Sequence, residues 1–290
     1  MKVSGFTFIR NAIKYDYPIV EAVKSILPIC DEVVVAVGKS DDDTLALMSG
    51  IDKKVRVIET EWDETLKAGG EVLAVETNKA FAAVDPTADW CFYIQGDEGI
   101  HEQYLDTVYA AMQQFRSNKQ VDGLLFKYLH FYGSYDYIAN SSKWYRNEIR
   151  VIKRDKNIYS FKDAQGFRKG NNEKLNVKAV DAFIYHYGWV REPHAMQAKY
   201  NNFGRLWGAD AWSDDAERKY TGAFDYTQVD SLQKFTGTHP KAFAERIARM
   251  NWSFDRDMSF NNLKLKDKLK NAVEKLTGTR PFDYKNYRIV

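Results

Sequence analysis

The stretch Trp90-Cys91-Phe92-Tyr93-Ile94-Gln95-Gly96-Asp97-Glu98 joins an unbroken apolar run to an acidic end. Consecutive apolar residues of this kind are typical of a strand that is buried on both faces of a parallel sheet. In such sheets the ligand-binding residues follow the carboxyl ends of the strands. The stretch therefore predicts a buried strand with a candidate site directly after it.

The residues upstream of this stretch alternate between strand and helix patterns. Apolar runs predict strands, and apolar residues at helical spacing predict helices, with Asp16 as the N-cap of the first helix. The predicted strands are 3–9, 32–37, 54–59 and 90–94. The predicted helices are 19–27, 44–49, 71–84 and 104–115. This alternation predicts an α/β fold with helices on both faces of a parallel sheet.

The pattern changes after Asn118, and helical patterns dominate from His194 onward. Further strand candidates lie at 123–132, 148–153 and 179–187. No Pro- or Ser-rich linker separates the parts, so we predict one continuous globule. Its predicted parts are a strand–helix half at 1–118, a mixed region that completes a cleft at 119–191, and a helical C-terminal region at 192–290.

The composition argues against several classes of protein. The 290 residues carry 42 Lys and Arg against 40 Asp and Glu, so no strong net field selects nucleic acid. No apolar run is long enough to span a membrane, and the N-terminus lacks the apolar stretch of a signal peptide. Cys30 and Cys91 lie in apolar contexts and are predicted to be buried thiols. We therefore expect a cytoplasmic protein that does not bind nucleic acid.

Two acidic residues and one histidine are the first candidates for chemistry. The adjacent carboxylates of Asp97 and Glu98 repel each other unless a cation, an Arg side chain or solvent compensates. A divalent metal carrying a diphosphate would compensate, because hard cations prefer carboxylate oxygens; an exposed acidic turn is the alternative. His186 ends an apolar run and is either a packed histidine or a ligand. The motifs of dinucleotide-binding, P-loop and serine-hydrolase proteins are missing from the sequence.

Six short motifs occur in a fixed order along the chain. They are Phe8-Ile9-Arg10-Asn11, Ser40-Asp41-Asp42-Asp43-Thr44, Asn78, Gln95-Gly96-Asp97-Glu98, Arg150-Val151-Ile152-Lys153-Arg154 and Ile184-Tyr185-His186-Tyr187-Gly188. This order resembles the family 2 glycosyltransferases of the GT-A fold, especially a branch with an R-N-E start, a D-A-D-E metal motif and a late I-x-H-x-G. The resemblance covers roughly residues 3–191.

The resemblance implies both a fold and a function. The fold would be α/β of the GT-A type, with a Rossmann-like, mostly parallel nucleotide-binding sheet, a mixed acceptor region and a helical C-terminal tail. Residues 1–118 would bind the nucleotide-sugar, and 119–191 would form the acceptor half. The function would be metal-dependent, inverting transfer of a sugar to a saccharide or lipid-linked saccharide, as in bacterial surface-polysaccharide synthesis.

Site residues follow from the resemblance position by position. The implied donor-binding residues are Phe8, Arg10, Asn11, Asp42, Asn78, Gln95 and Arg150. Asp97 and His186 would hold Mn²⁺ or Mg²⁺. Asp163 is the only carboxylate in 159–167, the segment where the branch often places its acid or base. It is therefore the expected catalytic base, and a turn aspartate before Gly166 is the alternative.

Three positions depart from the family pattern. Gln95 replaces the first Asp of D-A-D-E, Val37 replaces the Asp of the D-x-G-S turn, and Ala12 replaces the Glu of R-N-E. These departures motivate an alternative in which a degenerate GT-A module binds nucleotide, sugar or a partner without catalysis. A nucleotidyltransferase is less favoured, because residues 6–14 contain no Gly-rich loop for a triphosphate.

Aromatic residues are concentrated in the predicted acceptor region. They are Phe126, Tyr128, Phe131, Tyr132, Tyr135, Tyr137, Trp144 and Tyr145, with a second candidate rim at 207–212. Aromatic faces stack on sugar rings, and they also build cores. Both roles are expected here.

The segment 263–280 is amphipathic and basic. Between 264 and 280 it has six Lys and Arg against two Asp and Glu, which leaves a net charge of +4. Such a helix could lie on an anionic inner membrane leaflet. The alternative is a terminal helix packed on the domain with a solvated basic face. The narrow stripe of Leu265, Leu269, Ala272, Val273 and Leu276, which has no Trp or Phe, favours packing on the domain.

Overall fold

The computed structural model describes residues 1–66, 69–207, 222–257, 262–277, 280–281 and 284–290. The described strands are β1 Val3–Ile9, β2 Glu32–Gly38, β3 Val55–Thr60, β4 Trp90–Tyr93, β5 Glu98–Ile100, β6 Gly123–Tyr132, β7 Ser134–Ala139, β8 Asn147–Lys153, β9 Ile158–Phe161, β10 Gly166–Lys169, β11 Glu173–Lys174, β12 Asn176–Trp189, β13 Leu232–Lys234 and β14 Arg288–Ile289. The described α-helices are α1 Ile19–Ile26, α2 Thr44–Ser49, α3 Glu71–Ala83, α4 Leu105–Phe115, α5 Pro193–Trp207, α6 Ala244–Ala248 and α7 Leu265–Thr277.

The first four strands form a parallel sheet in the order β3-β2-β1-β4. Successive side chains of β2 point to opposite faces of this sheet. Val33 and Val35 therefore join a core cluster on one face, while Val34 packs into the cluster on the other. Burial on both faces is the physical reason for the continuous apolar run in this strand.

Beyond β4 the sheet becomes mixed. β8 lies antiparallel between β4 and β6, and β12 pairs with β6 in parallel. β5 pairs antiparallel with β12, which places Glu98 opposite His186. This pairing brings the acidic turn after β4 next to the late histidine, although the two are far apart in sequence.

The predicted α/β class is confirmed, with a parallel first half and a mixed region, as expected for the GT-A fold. The boundaries at 118 and 191 stay predictions. Within the described part of the C-terminal region, two short strands join the sheet that the sequence did not predict: β13 pairs with β7, and β14 pairs with β12. The small sheet of β9, β10 and β11 was also not predicted.

The prediction that Asp16 is the N-cap of α1 is wrong. Pro18 occupies that position, and no side chain caps the helix. Asp16 has a φ of 48° and accepts hydrogen bonds from both terminal nitrogens of Arg246, at 2.9 and 2.8 Å. Its carboxylate therefore ties the first loop to α6 instead of capping the helix.

Cys30 and Cys91 are both buried and free, as predicted. No helix in the described ranges is long and apolar enough to cross a bilayer.

Candidate active site

A cleft of about 1040 Å³ opens at the carboxyl ends of the parallel strands. Segments that follow β1, β2, β3 and β4 line it, because parallel strands end at a common edge of the sheet. The cleft brings together seven of the predicted site residues, whose roles stay predictions. They are Phe8, Arg10, Asn11, Gln95, Asp97, Asp163 and His186.

Asp97 lies at the floor of the cleft, where its backbone oxygen accepts a hydrogen bond from the Tyr187 amide at 2.7 Å. The Nζ atom of Lys199, on α5, donates to Oδ2 of Asp97 at 2.9 Å and to the Gly188 carbonyl at 2.8 Å. Burial alone would raise the pKa of Asp97, but the positive charges around it, that of Lys199 first, outweigh burial and lower the pKa below its ordinary value. The carboxylate is therefore ionised at neutral pH.

His186 is oriented by a second histidine. Nε2 of His130 donates to the carbonyl oxygen of Tyr145 at 2.8 Å, since that oxygen can only accept. Burial lowers the pKa of His130 well below its ordinary value and also lowers the pKa of His186, so both rings are neutral near pH 7. Nδ1 of His130 then accepts a hydrogen bond from Nδ1 of His186 at 3.1 Å. This leaves a lone pair on Nε2 of His186.

The Nε2 lone pair of His186 lies near an oxygen atom of Asp97, which also has lone pairs to offer. Nε2 of His186 and Oδ1 of Asp97 lie 3.8 Å apart. A neutral imidazole nitrogen whose ring is fixed by another hydrogen bond is a normal metal ligand, and a carboxylate oxygen suits Mn²⁺ or Mg²⁺. Within the described ranges no group of three His, Cys, Asp or Glu could hold a metal. Asp97 and His186 thus fit the expected cation as a two-ligand site, with the remaining positions left to diphosphate oxygens and water.

Glu98 is not among the residues that line the cleft, and a different cation neutralises it. Nε and Nη2 of Arg150 donate to its two oxygens at 2.8 and 2.7 Å, and the Tyr128 hydroxyl donates at 2.7 Å. The side chains of Glu98 and Arg150 are fully buried. Oε2 of Glu98 also accepts from the Gln95 amide at 3.1 Å, which fixes the turn that carries Asp97.

Arg150, whose motif implies donor binding, is not among the residues that line the cleft. Asp42 and Asn78 also lie outside the residues that line the cleft. Asp42 accepts hydrogen bonds from the amides of Lys14 and Thr44, at 2.7 and 3.0 Å, and so shapes the turn before α2. Asn78 exchanges two hydrogen bonds with the backbone of Ser160 and thereby joins α3 to β9. All three polar groups are used in holding the fold together.

Asp163 enters the cleft from the loop between β9 and β10. Its neighbours Lys162 and Ala164 both have left-handed backbone, with φ of 55° and 61°. Such conformations are costly for residues other than glycine, and they cluster at functional sites. Nε2 of Gln95 donates to the Ala164 carbonyl at 3.1 Å, which ties this loop to the acidic turn. Burial raises the pKa of Asp163 above its ordinary value.

The lining of the cleft also includes an aromatic and cationic group of side chains. The Arg10 guanidinium lies 5.6 Å from the ring centre of Trp62, and the ring of Phe8 lies 5.9 Å from the same indole. Arg10 also donates to the carbonyl of Lys39 and to Glu64, both at 3.0 Å. A flat aromatic surface beside a fixed guanidinium suits a nucleoside.

Three side chains at the site were missed by the sequence reasoning. Trp62 lies two residues after the end of β3, so the rule that found the other strand-end residues could have found it too. Lys199 and His130 carry no such signal. They lie inside a helix and a strand, respectively, and only the fold brings them to Asp97 and His186.

The aromatic residues of 126–145 serve mainly as core. Among the eight predicted, Tyr145 lines the cleft, as does Trp189, which was not among the eight. Most of the others pack against one another or against neighbouring elements, as in the stacked pair of Tyr132 and Trp189 at 5.9 Å. A second rim was predicted at 207–212. Residues 208–212 lie outside the described part of the chain, and so does the side chain of Trp207.

Comparison with known proteins gives structural neighbours only. No family model matches the sequence, and no curated protein is similar to it. S. aureus TarS 1–349 is 15% identical, with a TM-score of 0.41 over 75% of this chain and 68% of that one. The same protein in complex with UDP-GlcNAc is 14% identical, with a TM-score of 0.41 over 75% and 69%.

A third neighbour is glucosyl-3-phosphoglycerate synthase from Mycobacterium tuberculosis in complex with Mg²⁺ and UDP. It is 20% identical, with a TM-score of 0.30 over 44% of this chain and 43% of that one. Similarity at this level carries no functional argument, so the function has to be inferred from the residues of the cleft.

Proposed function

We propose that the protein is a glycosyltransferase that takes a sugar from a nucleoside-diphosphate donor. The observation that supports this most is the convergence of Asp97, His186 and Asp163 on one cleft at the carboxyl ends of parallel strands. The cleft offers an aromatic and cationic surface for a nucleoside and a charged floor for a diphosphate. Asp163 lines the same cleft, where the acceptor would lie.

The diphosphate is assigned to the floor of the cleft. An ionised Asp97 needs positive charge next to it when a negatively charged ligand arrives. Lys199 supplies one such charge at 2.9 Å. Mn²⁺ or Mg²⁺, held by Asp97 and His186, is the second part of the proposal. When bound, such a cation stabilises the negative charge that develops on a departing diphosphate.

Asp163 is assigned to the acceptor. In an inverting transfer the acceptor oxygen forms a bond to the anomeric carbon while the bond from that carbon to the diphosphate breaks. The proton of the acceptor hydroxyl has to go to a base, and a carboxylate with a raised pKa is a better base than an ordinary one. The acceptor, a saccharide or a lipid-linked saccharide of bacterial surface-polysaccharide synthesis, stays a prediction.

The proposal is tested by donor turnover. The purified protein is incubated with UDP-glucose, UDP-GlcNAc or GDP-mannose in Mn²⁺, with and without oligosaccharides, and nucleotide release is measured. We expect release from at least one donor, and none from the Asp97→Ala variant. Binding of a donor without any release, with or without an acceptor, would favour the non-catalytic module to which Gln95, Val37 and Ala12 point.

A further inference from the structure

Helix α7 contacts the rest of the protein through its polar side. The Asp267 carboxylate accepts a hydrogen bond from the Ser142 hydroxyl, and Glu274 accepts from Nε of Arg146 at 3.2 Å. The side-chain amide of Asn271 donates to the Asn140 carbonyl at 3.4 Å. Asp267, Asn271 and Glu274 recur at the four- and three-residue spacing of a single helix face. This face is the one that docks on residues 140–146.

The apolar side of α7 faces solvent. Leu265, Leu269 and Leu276 are 83%, 66% and 86% exposed. At about 100° per residue they fall within a narrow arc of the helix, opposite the docked acidic face. The helix does pack on the domain, as that alternative expects, but it does so through its polar face, so the leucines are solvated along with the lysines. The polar face of α7 already forms hydrogen bonds with the domain. Among the described residues, the three leucines are left without a protein partner.

Lysines border the exposed stripe on both sides. Lys268 and Lys275 lie along one edge, and Lys266 and Lys270 lie along the other. The two acidic residues of the helix are turned toward the body, where Asp267 is buried and Glu274 pairs with Arg146 and Arg280. The outward surface of α7 is therefore apolar in the middle and positive at both margins.

We propose that α7 docks on an anionic lipid surface. An apolar stripe framed by lysines matches a bilayer interface, because the leucines enter the acyl boundary while the lysine stems reach back to the headgroups. A second copy of this chain is a poorer occupant, since its own lysines would face these across a twofold interface. Charge complementarity thus selects lipid phosphates as the partner.

The test is co-sedimentation of the full-length protein with vesicles at low salt. One set of vesicles is phosphatidylcholine alone, and the other contains equal parts of phosphatidylcholine and phosphatidylglycerol. We expect binding to the anionic vesicles only, with a loss of roughly fivefold in affinity for each lysine removed in Lys268→Gln and Lys275→Gln. The triple variant Leu265→Ser, Leu269→Ser, Leu276→Ser should lose binding.

A matched control is Leu45→Ser with Leu47→Ser on α2, where the side chains are 38% and 37% exposed. This double variant removes exposed leucines that lie outside α7 and its lysines. It should bind vesicles like the wild type. Equal binding of the triple variant and the wild type, or no binding to anionic vesicles, would overturn the proposal. A dimer in solution that the triple variant abolishes would identify a second copy as the occupant and would overturn it as well.

Discussion

Asp97 and Glu98 are adjacent in sequence, but different cations neutralise them. Lys199 and its neighbours hold the Asp97 side chain ionised at the floor of the cleft, while Arg150 holds Glu98 inside the sheet. Like charges one residue apart require such compensation. Because Glu98 is paired with Arg150 inside the sheet, it supports the turn, whereas Asp97 stays available to a ligand.

Asp163 gives a kinetic prediction. Asp163→Asn should lower kcat by about 10²–10⁴-fold and leave donor affinity unchanged, because the amide cannot take a proton but occupies the same space. A base acts only when deprotonated, and burial raises the pKa of Asp163. The wild-type kcat should therefore fall with falling pH at a higher pH than for an ordinary Asp, and this acidic limb should vanish in the variant.

The matched control for Asp163 is Asp181→Asn on β12. Asp181 is exposed and pairs with Lys127, away from the residues that line the cleft. Its variant should keep the wild-type kcat and pH profile. A kcat for Asp163→Asn within about tenfold of wild type would count against its role as the base.

His130 gives a prediction about orientation. His130→Phe removes the acceptor that fixes His186 with its Nε2 lone pair toward Asp97. Loss of such a supporting hydrogen bond typically weakens metal affinity by about 10–100-fold. Mn²⁺-dependent nucleotide binding should fall by that factor, while binding measured in EDTA should not change. His239→Phe, a histidine bonded to the Tyr187 hydroxyl, is the control and should leave both affinities unchanged. An equal loss in EDTA would show that His130 acts only through packing.

At the scale of elements, Arg150 joins β8 to β5 through a buried ion pair. Removing one partner of such a pair leaves an uncompensated buried charge and typically costs about 3–5 kcal/mol. Arg150→Met should therefore lower the free energy of unfolding by about that amount, measured by urea denaturation. Arg116→Met breaks the more exposed pair with Asp89 and should cost about 1 kcal/mol or less. A cost for Arg150→Met as small as that for Arg116→Met would contradict the structural role.

The spacing of apolar residues predicted where the helices and strands lie, but not always which face of an element is buried. The continuous apolar runs predicted β1, β2 and β4 closely, because burial on both faces leaves a plain signal in the sequence. For α7 the helical spacing was correct, but the pattern did not show which face of the helix docks. The helix α7 has both an apolar and an acidic face. Which of them docks on the domain depends on Arg146 and Ser142, and these residues lie outside the helix whose pattern was read.

The motifs located the cleft better than they assigned its residues. Arg10 and Asp97 follow strands and had to meet at the common edge of the sheet. Arg150 lies within a strand, where motif order does not tell on which side of the sheet a side chain will lie. Lys199 lies on a helix beyond the last recognised motif, so only the tertiary structure could reveal its contact with Asp97.

For the whole molecule, the two surfaces proposed here are independent. The cleft depends on the ends of parallel strands and on β5 pairing with β12, whereas the lysine-bordered stripe depends on how α7 docks. A lipid-bound protein with an inactive cleft and an active protein that does not bind lipid are both consistent with the fold. Each proposal therefore requires its own measurement.

The proposed donor site is tested by calorimetric titration of UDP, GDP and CMP into the purified protein, in Mn²⁺ and again in EDTA. We expect that a nucleoside diphosphate binds, and that EDTA weakens its affinity by about tenfold or more through loss of a charge-assisted contact. We also expect that Asp97→Ala weakens binding only when Mn²⁺ is present. No binding of any nucleotide would contradict the proposed donor site, and an equal loss for Asp97→Ala with Mn²⁺ and in EDTA would contradict the role of the cation.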